Sequence, residues 1–254
     1  MRKNTFYLVL AVLAFPSALG IWARSQPAGI EQAVPKNWRN TVYDMAPEPT
    51  DEKERAHRHA RGALFDDPTG KKRRLDLEST EDGKTSYGRS AGFPLKISPL
   101  PASDSDTVIV GHVVSFQPYL SNDRTSIYHE LAVRVEQVLK DNSSLAKENG
   151  SVVILGEGGA LRLPNGKVAK QFVPPPVEND IRVGGRYVLF LLYKQEAEAF
   201  FVWKVWELRA GHAIPMARSD VREAETGSSP YAGMDEAAFL NAVRNSVLNS
   251  AKPH

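Results

Sequence analysis

Two histidines inside apolar stretches are the first residues in this sequence to test for chemistry. His112 lies in DTVIVGHVVSF (106–116), and His129 lies in IYHELAVRVEQVL (127–139). Imidazole nitrogens bind zinc or copper, and they exchange protons near neutral pH. Whether the two rings could share a ligand depends on how the two stretches pair.

The spacing of apolar residues predicts that both stretches are β-strands joined by a turn at SNDR (121–124). A turn centred there places Val133 opposite His112 and Phe116 opposite His129, so that the rings are too far apart to share a metal. A different loop would set the histidines face to face, where they could bind zinc or copper with a third ligand. We favour the first arrangement, with each histidine bonded to a backbone carbonyl, and predict neither metal nor cofactor.

A serine-hydrolase pattern, GRSAG (88–92), places Ser90 at the nucleophile position. That motif requires a strand before the serine and a helix after it, so that the strained turn presents the hydroxyl. Pro94, Pro99 and Pro101 prevent the helix. The pattern therefore indicates a chance match.

A zinc-protease motif also begins but is not completed. His129 and Glu130 start an H-E-x-x-H pattern, yet Val133 occupies the second histidine position. On a strand the two side chains would also point to opposite faces. We therefore predict no catalytic residue and do not expect an enzyme.

Two tryptophans in FFVWKVWELR could form an aromatic platform for a glycan or a peptide. Strict alternation places Trp203 with Phe201 and Val205 on one face, and Trp206 with Phe200 on the other. Core positions are favoured for both, and a surface position for one remains open. The predicted ligand-binding residues are Trp203, Trp206, His112 and His129.

The amino terminus has the pattern of a secretory signal. Arg2 and Lys3 precede the apolar run FYLVLAVLAFPSALGIWA, and cleavage after Gly20 or after Ala23 fits the small residues there. The run is also nearly long enough to be an uncleaved anchor, the one case in which we expect membrane contact. The signal predicts a secreted or periplasmic protein.

Charge and cysteine content limit the partners and the means of stabilisation. The chain has 32 Lys plus Arg residues and 30 Asp plus Glu residues. Two of the basic residues belong to the signal, so the remainder has 30 of each kind. This balance and export argue against nucleic acid as a partner. The absence of cysteine excludes disulfides, so the fold must be held by packing.

Composition divides the chain into four parts. The second part is rich in charge, contains a predicted short helix over DEKERAHRHARGALF (51–65), and either covers the folded part or tethers it to something else. Turns are predicted at Asn165-Gly166 and Ala210-Gly211, and a helix beginning at Asp235 should pack on the strands. The predicted parts are a signal (1–23), a polar, largely irregular segment (24–102), an OB-like β-barrel (103–217), and a linker with a C-terminal helix (218–254). The predicted fold class is mostly β, a small antiparallel barrel.

Three stretches, SDTVIVGHVVS, IYHELAVRVEQVLK and VGGRYVLFLLY, resemble in order and spacing the netrin-like modules of tissue inhibitors of metalloproteinases. They are more similar still to uncharacterised secreted bacterial proteins with such a barrel. The resemblance covers residues 104–216 and implies an OB-fold. Because those inhibitors chelate the target's metal through an amino-terminal cysteine, which this chain lacks, that activity does not carry over.

The function predicted from the sequence is an exported, non-catalytic binding or interaction module whose partner is a protein or a cell-envelope component. The loop at residues 118–125 is its predicted contact surface. The alternatives are a small secreted hydrolase that uses Ser90 or a histidine, and a metal-binding protein built on His112 and His129.

Overall fold

The structure is a computed structural model that describes residues 41–70, 98–171, 181–216 and 229–250. The predicted signal and the GRSAG pattern with Ser90 lie outside the described residues. Among those described, none of the helices is both long and apolar enough to cross a membrane.

Strands dominate the described chain, which confirms the mostly β fold class. Every strand predicted between residues 107 and 215 is present, and so are both predicted helices. In chain order the elements are β1 Tyr43–Asp44, α1 Glu52–Ala63, β2 Thr107–Leu120, β3 Ile127–Asp141, β4 Ser151–Glu157, β5 Gly159–Arg162, β6 Val168–Gln171, β7 Arg186–Lys194, a 3-10 helix Gln195–Ala197, β8 Ala199–Arg209, β9 His212–Pro215 and α2 Glu236–Ser250.

Six strands form one sheet in the order β4-β3-β2-β7-β8-β9, with antiparallel neighbours. The sheet curls until β4 meets β8 in a short parallel pairing, Ile154 with Phe200 and Leu155 with Phe201, so it nearly closes. A smaller sheet has the order β1-β5-β6. The OB-like barrel and the netrin-like resemblance go beyond this near-closed sheet and stay predictions.

Both faces of the large sheet are buried in its centre. Inside the curl, apolar residues of β2, β3, β4, β7 and β8 form the main core, with Ile109, Val133 and Leu189 fully buried. On the outer face, Phe239 and Val243 of α2 pack over the strands. The continuous apolar run of β7 serves both faces, which explains why it does not alternate with polar residues.

Local turn and cap chemistry agrees with the sequence. Gly166 and Gly211 adopt positive φ angles of 82° and 78° in their hairpins, and Ala210 has φ 52°. The Oδ1 atom of Asp235 accepts hydrogen bonds from the amides of Ala237, at 2.9 Å, and Ala238, at 3.2 Å. These contacts confirm both predicted turns and the start of the C-terminal helix.

The β2–β3 register differs from both sequence predictions. His112 pairs with Arg134, and His129 pairs with Pro118, so the histidines are not opposite one another. The predicted partners Val133 and Phe116 are therefore wrong, and so is the face-to-face alternative. The loop is longer than SNDR, because the carboxylate of Asp123 accepts a hydrogen bond from the Thr125 amide at 2.9 Å, and three register shifts follow along the strands.

A β-bulge in β8 changes the faces of the tryptophans. Lys204 pairs with Phe190 and Val202 pairs with Leu191, so Trp203 is the extra residue between them. The predictions that Phe201 shares a face with Val205, and Trp206 with Phe200, are therefore wrong. Beyond the bulge, Val205 faces the main core, in which Phe200 also lies, and Trp206 faces α2.

Candidate binding site

The four residues singled out from the sequence lie in separate places. Trp206 is fully buried beneath α2, and its indole Nε1 donates a hydrogen bond to the Pro99 carbonyl at 3.1 Å. Trp203 is half-buried at the bulge, and its Nε1 is buried without a hydrogen-bond partner. His112 and His129 occupy different surroundings again.

His129 is held by packing and by a backbone carbonyl. Its Nδ1 lies 3.0 Å from the Gly158 carbonyl oxygen, and its ring centroid lies 4.8 Å from that of Phe116. The ring also covers Gly156, where an added Cβ would stand 2.4 Å from Nε2. The carbonyl contact predicted for the histidines is therefore confirmed for His129, and it is wrong for His112, whose partner is the Glu136 carboxylate.

His112 belongs to a charged network that ties three strands to α2. Its Nε2 lies 2.6 Å from Oε1 of Glu136, whose Oε2 accepts from Nε of Arg186 at 2.7 Å. Nη1 of Arg186 then donates to Glu236 in the first turn of α2 at 2.5 Å. Burial opposes the charge of Arg186, but these carboxylates raise its pKa. In the described ranges no group of three or more His, Asp or Glu could hold a metal ion.

A different surface, which we call the α1 cradle, holds helix α1 against the outer face of the sheet. We define it by Tyr119, Tyr128, Glu130, Ala197 and Phe201. In chain order these residues come from β2, β3, the 3-10 helix and β8. Together they present aromatic rings around one carboxylate.

An arginine of α1 reaches the centre of the cradle. Arg61 is only 5% exposed, its Nη1 lies 3.1 Å from Oε2 of Glu130, and its Nε donates to the Ala197 carbonyl at 3.3 Å. Nη1 also lies 3.5 Å from Glu54 on the same helix. A buried arginine requires such partners, because its desolvation would otherwise be very costly.

The aromatic residues of the cradle contact two further side chains of this segment, Phe65 and Arg58. Phe65 stacks on Tyr128 with ring centroids 4.9 Å apart and planes 5° from parallel. The guanidinium of Arg58 lies 4.6 Å from the centroid of the Tyr119 ring, a cation–π contact. Arg58, Arg61 and Leu64 follow at intervals of three, so one helix face and its continuation carry the recognition.

The β2–β3 loop is bound by the same segment. The side-chain amide of Asn122 donates to the His59 carbonyl at 2.9 Å, and the Asp67 amide donates to Asp123 at 2.7 Å. Gly62 allows this approach, since a Cβ there would stand 2.5 Å from Oδ1 of Asn122. The predicted contact loop thus contacts the chain's own polar segment, and the described part of that segment covers the sheet.

Burial and ion pairing act on the Glu130 carboxyl group in opposite directions. Burial raises the pKa of Glu130, while Arg61 acts to lower it, and burial together with Glu130 raises the pKa of Tyr119 to about 12. The Oε1 atom of Glu130 is buried and has no hydrogen-bond donor. Helix α1 therefore leaves one oxygen of the Glu130 carboxyl group without a hydrogen bond.

Sequence reasoning considered Glu130 only as part of a zinc-protease pattern and did not select Arg58, Arg61 or the two tyrosines. The available signal was local: two arginines three residues apart, followed by Leu64 and Phe65, in an otherwise polar segment. Their partner surface is assembled from residues distant in the chain, which the sequence does not bring together.

No protein-family model matches the chain, and no curated protein matches it either. The cradle and the charged network are therefore the observations from which a function can be argued.

Proposed function

We propose that this chain is an exported interaction module that binds a protein or cell-envelope partner and catalyses no reaction. The observation that carries the proposal is the α1 cradle, which recognises a helix through a buried Arg61–Glu130 contact and an aromatic stack on Tyr128. Buried arginine and aromatic anchors are the features that dominate binding energy at protein interfaces. The signal pattern supports the exported location.

The contact with α1 also has the mixed character of a recognition surface. Aromatic rings supply apolar area, and Glu130 supplies a single charge that selects a cation. A face that served the stability of the fold alone could be covered by apolar residues, as α2 covers its side of the sheet with Phe239 and Val243.

The test is a comparison of native and denaturing mass spectra of the full chain, purified gently from its own compartment after mild crosslinking. We expect a stoichiometric second protein or envelope component in the native spectrum and the crosslinked sample. A bare monomer in both samples contradicts the proposal. The denatured mass also locates any signal cleavage.

A small hydrolase is the second candidate, because His112 lies 2.6 Å from Glu136 and its side chain is 30% exposed. A carboxylate that orients a histidine is part of a catalytic triad. Glu136 is, however, also bound by Arg186, and no described hydroxyl group is hydrogen-bonded to His112. Turnover of ester or peptide panels that is lost in His112→Gln, but kept in His212→Gln, would favour the hydrolase over the interaction module.

A further inference from the structure

We infer that the α1 cradle is a binding site for a helix of a partner protein, and that α1 occupies it as an internal competitor. The partner helix would present two arginines about one turn apart, followed by an apolar and an aromatic residue. This inference rests on the proposed binding function and assigns it to one surface and one class of ligand.

The resident helix defines the chemistry of the ligand. Tyr119 accepts a cation on its ring face, Tyr128 accepts a flat aromatic ring, and Glu130 accepts a guanidinium between them. A helix that places arginines at positions i and i+3 can reach both the Tyr119 ring and the Glu130 carboxylate. Lysine would be a poorer ligand, because it lacks the planar fork that pairs with a carboxylate.

Helix α1 does not satisfy the cradle completely. One nitrogen of Arg61 contacts one oxygen of Glu130, and the other oxygen is buried without a donor. The same Nη1 atom is also near Glu54. An arginine that approached Glu130 with two nitrogens would supply the missing donor, so a partner helix can bind more tightly than α1 does.

Helix α1 also has properties that favour its dissociation from the cradle. It has 12 residues, and only Arg61 and Gly62 within it are buried. Helices of this length are marginally stable alone, so α1 depends on its docking contacts. Its release exposes little apolar surface of the helix itself, and the cost lies in the lost contacts of Arg61 with Glu130 and Ala197 and in the packing of Leu64 and Phe65 at its end. Local opening of this kind is less costly than global unfolding.

The competition makes a quantitative prediction. When a site is open for only a fraction of the time, the apparent affinity of a ligand falls by that fraction. Weakening the contacts of α1 must therefore strengthen binding in trans, although the substitution lies outside the cradle. A surface without an internal competitor would show no such gain.

The probe is a fluorescein-labelled peptide of residues 50–67, titrated by fluorescence anisotropy against the full chain. We expect the Arg61→Ala chain to bind it about tenfold more tightly than the wild type, because the open fraction of the cradle rises. The Phe65→Ala chain should also bind the peptide more tightly than the wild type, because it weakens a different contact of the α1 segment. Agreement between the two variants makes a folding defect in either one an insufficient explanation. Arg134→Ala, at an exposed position on the sheet, is the matched control and should bind as the wild type does.

Specificity is tested by removing the central contact from each side. The peptide carrying Arg61→Ala should bind every chain about tenfold more weakly, and Glu130→Gln added to the Arg61→Ala chain should remove its gain. Equal affinities of wild-type and Arg61→Ala chains, or binding indifferent to Glu130, would overturn the inference. Arg61→Ala chains must keep the near-ultraviolet circular dichroism of the core for the comparison to count.

The two proposals fail separately. If the native partner still crosslinks to the chain when the peptide is present in excess, the partner binds elsewhere. This result overturns the assignment of the partner to the cradle but not the proposal of an interaction module. Concentration-dependent dimers of the wild-type chain that the peptide dissolves would indicate exchange of α1 between two copies, and would overturn a foreign partner helix. Loss of the crosslinked partner upon addition of the peptide is the expected result.

Discussion

Glu130 combines burial with incomplete pairing, and this gives it a measurable pH signature. The groups that face it are Arg58, Arg61 and Glu54 on α1, with Tyr119 and Tyr128 on the strands. Burial is the larger effect and raises the pKa of Glu130 above its usual value, although Arg61 acts in the opposite direction. The folded state thus binds this proton more tightly than the unfolded state does.

Glu130 therefore contributes stability that is fully present below its usual pKa and is lost as pH rises through its raised folded pKa. We expect the free energy of unfolding of the wild type, minus that of Glu130→Gln, to decrease between pH 4 and pH 8. Urea denaturation of both chains at several pH values measures this difference. A difference that grows with pH would mean that the ion pair with Arg61 outweighs burial.

The close packing of His129 over Gly156 can be tested by substitution. A Cβ at position 156 would stand 2.4 Å from Nε2 and 2.6 Å from Cε1 of His129, so the ring must move and its contact with the Gly158 carbonyl is lost. We expect Gly156→Ala to lower the free energy of unfolding by about 1–3 kcal/mol.

The matched comparison is a double-mutant cycle with His129→Ala. The Gly156→Ala substitution should cost clearly less in the His129→Ala background, because the ring that it displaces is absent. Additive effects of the two substitutions would show that the clash is not with His129.

At the scale of elements, the β8–β9 turn contains a strained residue. Ala210 has φ 52°, in the left-handed region that an L-residue with a Cβ adopts at a cost of about 1 kcal/mol. We expect Ala210→Gly to raise Tm by about 1–2 °C, since a net gain of about 0.5 kcal/mol remains after the entropy that glycine adds is subtracted from the strain removed. Thermal unfolding followed by circular dichroism measures this. The control is Ala213→Gly in β9, which is fully buried and should lower Tm.

The start of α2 depends on one side chain. Asp235 accepts two amide hydrogen bonds there, so Asp235→Ala should lower the free energy of unfolding by about 1 kcal/mol, as measured by urea denaturation. Asp235→Asn keeps the acceptor and should cost much less. Equal losses in both variants would assign the effect to the negative charge near the helix amino terminus rather than to hydrogen bonding.

Elements were predictable from the sequence where local rules determine them. Alternation located β2 and β3, the glycines at 166 and 211 located turns, and Asp235 located α2. The bulge at Trp203 was not predictable, because one inserted residue leaves no trace in an apolar stretch such as FFVWKVW. The prediction of the β2–β3 register was wrong for a related reason, since side-chain hydrogen bonds of Asp123 determine the length of the loop.

At the scale of the whole molecule, the sequence indicated a mostly β protein with a packed terminal helix but not the arrangement around the site. The cradle brings Arg61 to Glu130 across 69 positions of sequence, and no periodicity predicts such a contact. The carbonyl bond of His129 could be predicted, because it needs only burial and a nearby backbone. The charged network of His112 depends on where α2 packs, which becomes visible only in the folded chain.

The short pairing of β4 with β8 has a consequence for how the curled sheet folds and opens. It consists of two residue pairs, Ile154 with Phe200 and Leu155 with Phe201, whereas neighbouring strands such as β7 and β8 pair along most of their length. Loop-closure entropy delays contacts between segments far apart in the chain until the hairpins between them exist. We therefore expect this seam to form after the β7–β8 hairpin during refolding, and to open more readily than that hairpin in the native protein.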